Sequence, residues 1–386
     1  MGSFLPVNHF EMVERSWDYV DFALITGDAY VDHPSFGAAI ISRLLESHGY
    51  RVGIIAQPDW RDVESFRVFG QPRLGFLITG GNIDSMVNHY TVAKRRRSKD
   101  VYSPGGQRGL RPDRASIVYA NRAREAYKNV PIILGGIEAS LRRLAHYDYW
   151  DDRIRRSILL DSKADLLLFG MAENAIIEVA QRLEQGIAIE RITNVPGTVV
   201  RLFSVPDREF ILLPDFAEIN SSKRAFAKSY MLQYENTDHL TGATLVEPYG
   251  DFYIIQNPPA APLSERELDQ VYALPFQRDY HPSYEKAGGV PAISEVKFSL
   301  ISNRGCFGGC NFCALSFHQG RVVQSRSTES LVNEALHFVD DRDFKGYIHD
   351  VGGPTANFQS RACLKQEKYG VCKTKQCLVP EPCKNL

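Results

Sequence analysis

The chain has 386 residues, of which 44% are hydrophobic and 24% charged, with a formal net charge of −1. That length suits two domains, and the apolar fraction can build a sizeable core without disulfide staples. The balanced charge argues against a dedicated polyanion binder, and no apolar run approaches the ~18 to 20 residues of a membrane-spanning helix.

At the N-terminus, residues 1–14 mix Pro6, His9 and acidic side chains and lack the charged-then-apolar pattern of a secretory signal. The expected location is the cytosol. A reducing compartment disfavours structural disulfides, so cysteines are read first as metal or redox groups.

Residues 22–26 are an apolar run ending at Gly27-Asp28. Residues 36–48 then place Ala39, Ile40, Leu44 and Leu45 on one helical face, with Gly49 as the stop signal. Residues 52–56, 74–78, 131–134 and 165–169 continue the series of short, continuously apolar strands expected of a buried parallel sheet. A further helix is expected at 173–185. Strands alternating with helices predict a Rossmann-like, doubly wound α/β sheet over residues 1–200. Ligands of such sheets sit at the carboxyl ends of the strands, where Thr79-Gly80-Gly81 and Gly135-Gly136-Ile137-Glu138 fall.

Residues 201–294 give weaker signals. Pro258, Pro259, Pro262, Pro275, Pro282 and Pro291 punctuate them, a helix is expected at 265–273, and the span reads as a connecting segment packed on both neighbours. Residues 296–301 alternate like a strand and run directly into a cysteine loop. A helix at 327–340 follows, capped by Ser327 or Thr328, and then a strand at 347–351 ending at Gly352-Gly353. Strand, loop, helix, strand is the start of a (β/α) barrel, expected over residues 295–386, where chemistry sits at strand ends.

All seven cysteines lie beyond residue 305. Cys306, Cys310 and Cys313 have the spacing C-x3-C-x2-C. Thiolates are the usual ligands of iron–sulfur clusters, and three of them on one loop fill three irons of a cubane. The fourth iron stays open, as catalytic metal sites require. Gly305, Gly308 and Gly309 suit a tight loop around such a cube. The competing readings are three separate buried thiols, or a zinc site completed by His318 or a distant cysteine.

With Phe312 as the aromatic before the last cysteine, this loop resembles the signature of the radical S-adenosylmethionine (SAM) superfamily. The resemblance implies a [4Fe-4S] cluster on Cys306, Cys310 and Cys313, whose open iron takes the amino and carboxylate groups of SAM. It implies that Phe312 packs near the adenine, and that reductive cleavage gives methionine and a 5′-deoxyadenosyl radical. Gly352 and Gly353 stand where a Gly-Gly-Glu-like motif contacts the SAM amino group, although Pro354-Thr355 replace the acidic residue. An electron donor such as flavodoxin or ferredoxin is the implied partner.

Four further stretches, Phe4-Leu5-Pro6, Asp32 to Gly37, Gly135 to Ser140 and Asp350 to Asn357, resemble the YgiQ family of radical SAM proteins, whose reaction is unassigned. Fewer than 100 residues follow the first barrel strand, against roughly 200 for the smallest barrels, so an N-terminal fragment with an incomplete, inactive barrel is expected. The N-terminal half also resembles cobalamin-binding domains. There the cobalt-ligating pattern is D-x-H-x-x-G, whereas Asp32-His33-Pro34-Ser35-Phe36-Gly37 has its histidine one position early, so a Rossmann-like domain without cobalamin is the preferred reading.

Cys363, Cys372, Cys377 and Cys383 form a second group, which reads either as a second metal site or as separate thiols. The basic run Lys94 to Arg97 with Lys99 reads as a solvated surface, with a phosphate contact as the alternative that leaves a nucleic-acid partner open. His146 and Asp148, in an aromatic and acidic patch, read as packing groups before acid–base catalysts. Two functions therefore stand: a radical SAM enzyme of unknown substrate, or a zinc- or cluster-stabilised binding module.

Overall fold

The computed structural model describes residues 3–310, 312–354, 356–358 and 363–386. Asn311 of the cysteine motif and Thr355 beside the glycine pair lie outside the described residues.

Among the described residues, nine strands form one sheet: β1 (Phe22–Thr26), β2 (Val52–Ala56), β3 (Gly75–Thr79), β4 (Ile132–Gly135), β5 (Leu166–Leu168), β6 (Thr198–Leu202), β7 (Phe210–Leu212), β8 (Thr244–Pro248) and β9 (Tyr253–Gln256). Their order is 2-1-3-4-5-6-9-8-7. The first five are parallel, β6, β9 and β8 continue antiparallel, and β7 closes the edge parallel to β8.

Alternate residues of each strand feed two separate cores. Leu24, Ile54, Leu77 and Ile133 face the helices Gly37–Ser47 and Glu173–Glu184. Ile25, Ile55, Ile78 and Leu134 face the helix Ala115–Ala126. Both faces are covered, which is why these strands read as unbroken apolar runs. Order 2-1-3-4-5 is doubly wound, with its switch point between β1 and β3.

The sheet crosses the boundary expected at residue 200, because β7, β8 and β9 lie within the span read as a connecting segment. Beyond them the chain contacts both sides. Asp279–Tyr280 pairs with Val31–Asp32, whereas Leu263 N donates to Gln324 Oε1 at 3.0 Å and Ser327 N to Asp269 Oδ1 at 3.0 Å. The expected helix here is Glu265–Tyr272, opened by a Ser264–Glu267 capping box.

In the C-terminal part, the strand expected at 296–301 is shared between a helical turn, Ile293–Val296, and a shorter strand, β10 (Ser299–Ile301). The helix Thr328–Val339 follows, with Ser327 Oγ accepting from Ser330 N. Strand β11 (Asp350–Gly352) pairs parallel with β10, matching Ile301 to Gly352. A parallel pair joined through a helix is one βα unit of a barrel. Among the described residues, no helix is long and apolar enough to cross a membrane.

Candidate metal and cofactor site

The cysteine loop leaves β10 and is fastened at both ends. Gly305, at φ +84°, lies so close to Val322 that a Cβ there would overlap the Val322 carbonyl. Cys306 N donates to Gly320 O at 3.1 Å, and Cys313 N to Cys310 O at 3.0 Å. Gly308 lies between two sulfurs: a Cβ on it would stand 3.2 Å from Cys306 Sγ and 3.8 Å from Cys310 Sγ. A side chain there would press on Cys306 Sγ and crowd the space between the two thiols.

Arg321, 2% exposed, holds the loop from beneath. Its guanidinium donates to the carbonyl of Gly308 at 2.8 Å, to that of Phe307, and to that of Lys375 at 3.4 Å. A fork of five donors can serve several carbonyls at once, which an ammonium cannot do in a fixed geometry.

All seven cysteines are free thiols; Cys310 is exposed, Cys306 and Cys313 partly buried. Among the described residues, no group of three or more His, Cys, Asp or Glu side chains is drawn together as metal ligands. The donor chemistry nonetheless fits a cluster: three free, soft ligands on one eight-residue loop, with a glycine between two of them. Phe312, expected near an adenine, is 93% exposed.

Gly352 and Gly353 lie beside the root of this loop. Ser302 N donates to Gly352 O at 2.8 Å, and Asn303 Nδ2 to Ala356 O at 3.2 Å. A Cβ on Gly353 would overlap the buried Asn303 side chain, and one on Gly352 that of Asn357. The expected pair of glycines and the cysteine loop therefore share one end of the β10–β11 unit.

Two contacts join this unit to the sheet. Buried Arg304 pairs with buried Glu173, the first residue of the helix Glu173–Glu184. His318 Nδ1 shares a 2.9 Å hydrogen bond with Ser140 Oγ, which also accepts from Gly170 N at 3.0 Å. Burial brings the His318 imidazole down to about 4, with Glu173 opposing and Arg304 assisting, so the ring is neutral near pH 7. The histidine weighed as a fourth zinc ligand is thus bonded to the sheet through Nδ1.

The remaining expected groups are distributed elsewhere. Glu138 accepts from Ser85 N at 2.9 Å and Ser116 N at 3.0 Å, a role in holding loops. His33 is buried: Nδ1 accepts from Ser35 N at 3.1 Å, Nε2 faces Arg278 Nη1 at 3.1 Å, and burial keeps the ring well below its usual pKa. Asp148 is occupied by Arg114 and Arg155 and held below the usual carboxylate range by those charges and hydrogen bonds, although burial opposes. His146, brought down to about 4 by burial, lies in the same short hairpin. In the basic run, Lys94 Nζ donates to Trp150 O at 3.1 Å and Arg97 Nε to Val87 O at 3.2 Å.

Of the late cysteines, Cys363 is buried, and Cys372, Cys377 and Cys383 are partly buried in the following turns. Burial pushes the Cys377 thiol up; Arg321 opposes, and the neighbouring Cys372 and Cys383 add to it. Sequence reasoning missed Asn303, Arg304 and Arg321. Their only signal was position, since an arginine two residues before a metal loop reads like any surface charge.

Sequence comparison gives the class: a radical SAM protein. The Radical SAM N-terminal family matches residues 4–299, and the chain belongs to that family. It is 57% identical over 386 residues to a UPF0313 protein of Clostridium botulinum strain Okra, covering 99% of this chain and 60% of the relative. A UPF0313 protein of Clostridium perfringens strain ATCC 13124 is 57% identical over 387 residues, covering 100% of this chain and 58% of the relative. The chain therefore spans about 60% of the length of the curated relatives it matches. Membership of the radical SAM superfamily, YgiQ family, holds as expected.

Among solved structures, the radical SAM methyltransferase TsrM of Kitasatospora setae, with tryptophan and the SAM analogue aza-SAM bound, has a TM-score of 0.45 and 15% identity. That match covers 83% of this chain and 45% of TsrM. TsrM with cobalamin and a [4Fe-4S] cluster bound gives a TM-score of 0.44 at the same identity.

Proposed function

We propose that this chain is the cluster-bearing part of a cytosolic radical SAM enzyme, with Cys306, Cys310 and Cys313 as the ligands of a [4Fe-4S] cluster. The observation that carries this reading is the cysteine loop: three free thiols, fastened by Arg321 and Gly305, at the strand end that also presents Gly352 and Gly353.

Cys306, Cys310 and Cys313 would hold the cluster, and the chemistry it would supply there is one-electron reductive cleavage of SAM. The protein's own part is positional. Arg321 fixes the carbonyls of Phe307 and Gly308, between the first two cysteines, and so limits the freedom of the loop that carries the thiols. The Gly352–Gly353 backbone, free of side chains, lets the amino acid end of SAM approach. In this reading the exposed Phe312 would cover the adenine, as the resemblance implies. Neutral His318 and the Arg304–Glu173 pair join the base of the loop to the helices beside the sheet and orient it over the strand ends. A flavodoxin- or ferredoxin-like protein is the electron donor in this reading. Cobalamin is possible but not favoured in this reading: His33 is engaged by Ser35 and Arg278, and a cobalamin held here would need no histidine ligand.

The test is anaerobic reconstitution with iron and sulfide, followed by metal and sulfide analysis and assay of 5′-deoxyadenosine with reductant and SAM. About four irons and four sulfides per chain, lost in Cys310→Ala, are expected for a cubane on three cysteines. Zinc without iron or sulfide would replace this reading with the binding module.

A further inference from the structure

A cavity of about 310 Å³ lies between the sheet and the cysteine loop. Its floor is the carboxyl ends of β1, β3, β4 and β5, at Thr26, Thr79, Gly135 and Leu168. Its roof is the β10–β11 unit: Ile301 and Arg304 lead into the cysteines, Leu315 and His318 leave them, and Pro354 follows the glycine pair. The volume is that of a small-molecule site, and the place, beside the β1/β3 switch point, is where doubly wound sheets hold ligands.

The walls are mostly apolar, among them Phe36, Ile40, Ile137, Met171 and Ile176. Arg304 and Glu173 stand out. Both are 4% exposed, and their mutual ion pair uses only Arg304 Nη1 and Glu173 Oε1. Among the described residues, Arg304 Nε and Nη2, and Glu173 Oε2, have no hydrogen-bond partner. Leaving such buried groups unpaired is costly, a cost a ligand can relieve. Because the two charges already cancel, an added net charge would be buried without compensation. A neutral group offering an acceptor to Arg304 and a donor to Glu173 meets both needs at once.

We infer that this cavity binds a small, uncharged, largely apolar molecule through one amide-like edge, a carbonyl beside an N–H, with the carbonyl on Arg304 and the N–H on Glu173. As the pocket of the molecule that loses hydrogen, it rests on the function proposed above. As a binding site it does not, since no wall residue is a cluster ligand.

The experiment uses the metal-free chain and three probes of one shape: benzamide, benzoate and toluene, with binding followed by ligand-observed saturation-transfer NMR. Benzamide should bind roughly tenfold or more tightly than either of the others, the worth of one or two hydrogen bonds to charged groups. Arg304→Met should abolish that preference. Because Arg304→Met leaves Glu173 unpaired and can impair folding, Ile137→Trp provides a second arm; it fills the cavity from the wall and should abolish benzamide binding while leaving the melting temperature near that of the parent. Benzoate or toluene binding as well as benzamide, no binding of any probe, or undiminished benzamide binding in Ile137→Trp would each overturn the inference. None of these outcomes depends on iron, so failure here is separate from failure of the cluster test.

Discussion

Replacing Gly305 by alanine tests whether the fastening of the cysteine loop, rather than the cysteines alone, makes the metal site. Two costs add. Alanine at φ +84° pays roughly 1–2 kcal/mol for the left-handed backbone. The new Cβ also overlaps the Val322 carbonyl, with the carbonyl carbon itself at 3.0 Å. Even the closest favourable C–H···O contacts lie near ~3.3 Å, so Val322 must retreat by roughly 1 Å. Overpacking of that kind costs about 1–3 kcal/mol. Together these give about 2–5 kcal/mol, concentrated one residue before Cys306. Spent on disordering the loop, that sum lowers the population able to hold a cluster by at least about thirtyfold. After anaerobic reconstitution, iron and sulfide per chain should collapse in Gly305→Ala, while far-ultraviolet circular dichroism of the sheet stays unchanged. A variant that takes up iron and sulfide as the parent does would refute the reasoning.

Two further substitutions probe the supports. Arg321→Lys keeps the charge but cannot serve the carbonyls of Phe307, Gly308 and Lys375 together; faster proteolysis within residues 306–314 and reduced iron uptake are expected, and unchanged cleavage rates would count against the role of the fork. Glu247, fully buried on β8, accepts from Tyr249 Oη at 2.7 Å and Ala145 N at 2.9 Å, and burial pushes its carboxyl from 4.5 up to about 7. The folded state therefore holds this proton more tightly than the unfolded one, so its stabilisation is full below pH 4.5 and fades as the pH rises through 7. That difference is worth about 3 kcal/mol. Urea denaturation at pH 5 and pH 8 should show a smaller drop in stability for Glu247→Gln than for the parent; parallel pH profiles would contradict the assignment.

The parallel half of the sheet was legible because its strands are buried on both faces, and unbroken runs such as Phe22–Thr26 and Val52–Ala56 have no polar interruption to mislead. The antiparallel extension was not. Strand β7 is three partly exposed residues, and β8 carries Glu247 and Pro248, which read as loop until the structure shows the glutamate sealed between Ala145 and Tyr249. The cysteine spacing, the Gly352–Gly353 pair and the helix after the loop were readable because local chemistry dictates them. The supports were not. Arg304 finds Glu173 across 131 positions and His318 finds Ser140 across 178, separations that carry no periodic trace.

Those two long-range contacts have a mechanical consequence. They latch the cysteine-bearing unit to the helices beside the sheet, through Glu173 and Ser140, so prising the halves apart would break an ion pair between two buried side chains and a hydrogen bond. Opening the two halves like a clamshell is therefore a costly way into the cavity between them. Heating should melt the β10–β11 strand pair and the sheet in one cooperative transition.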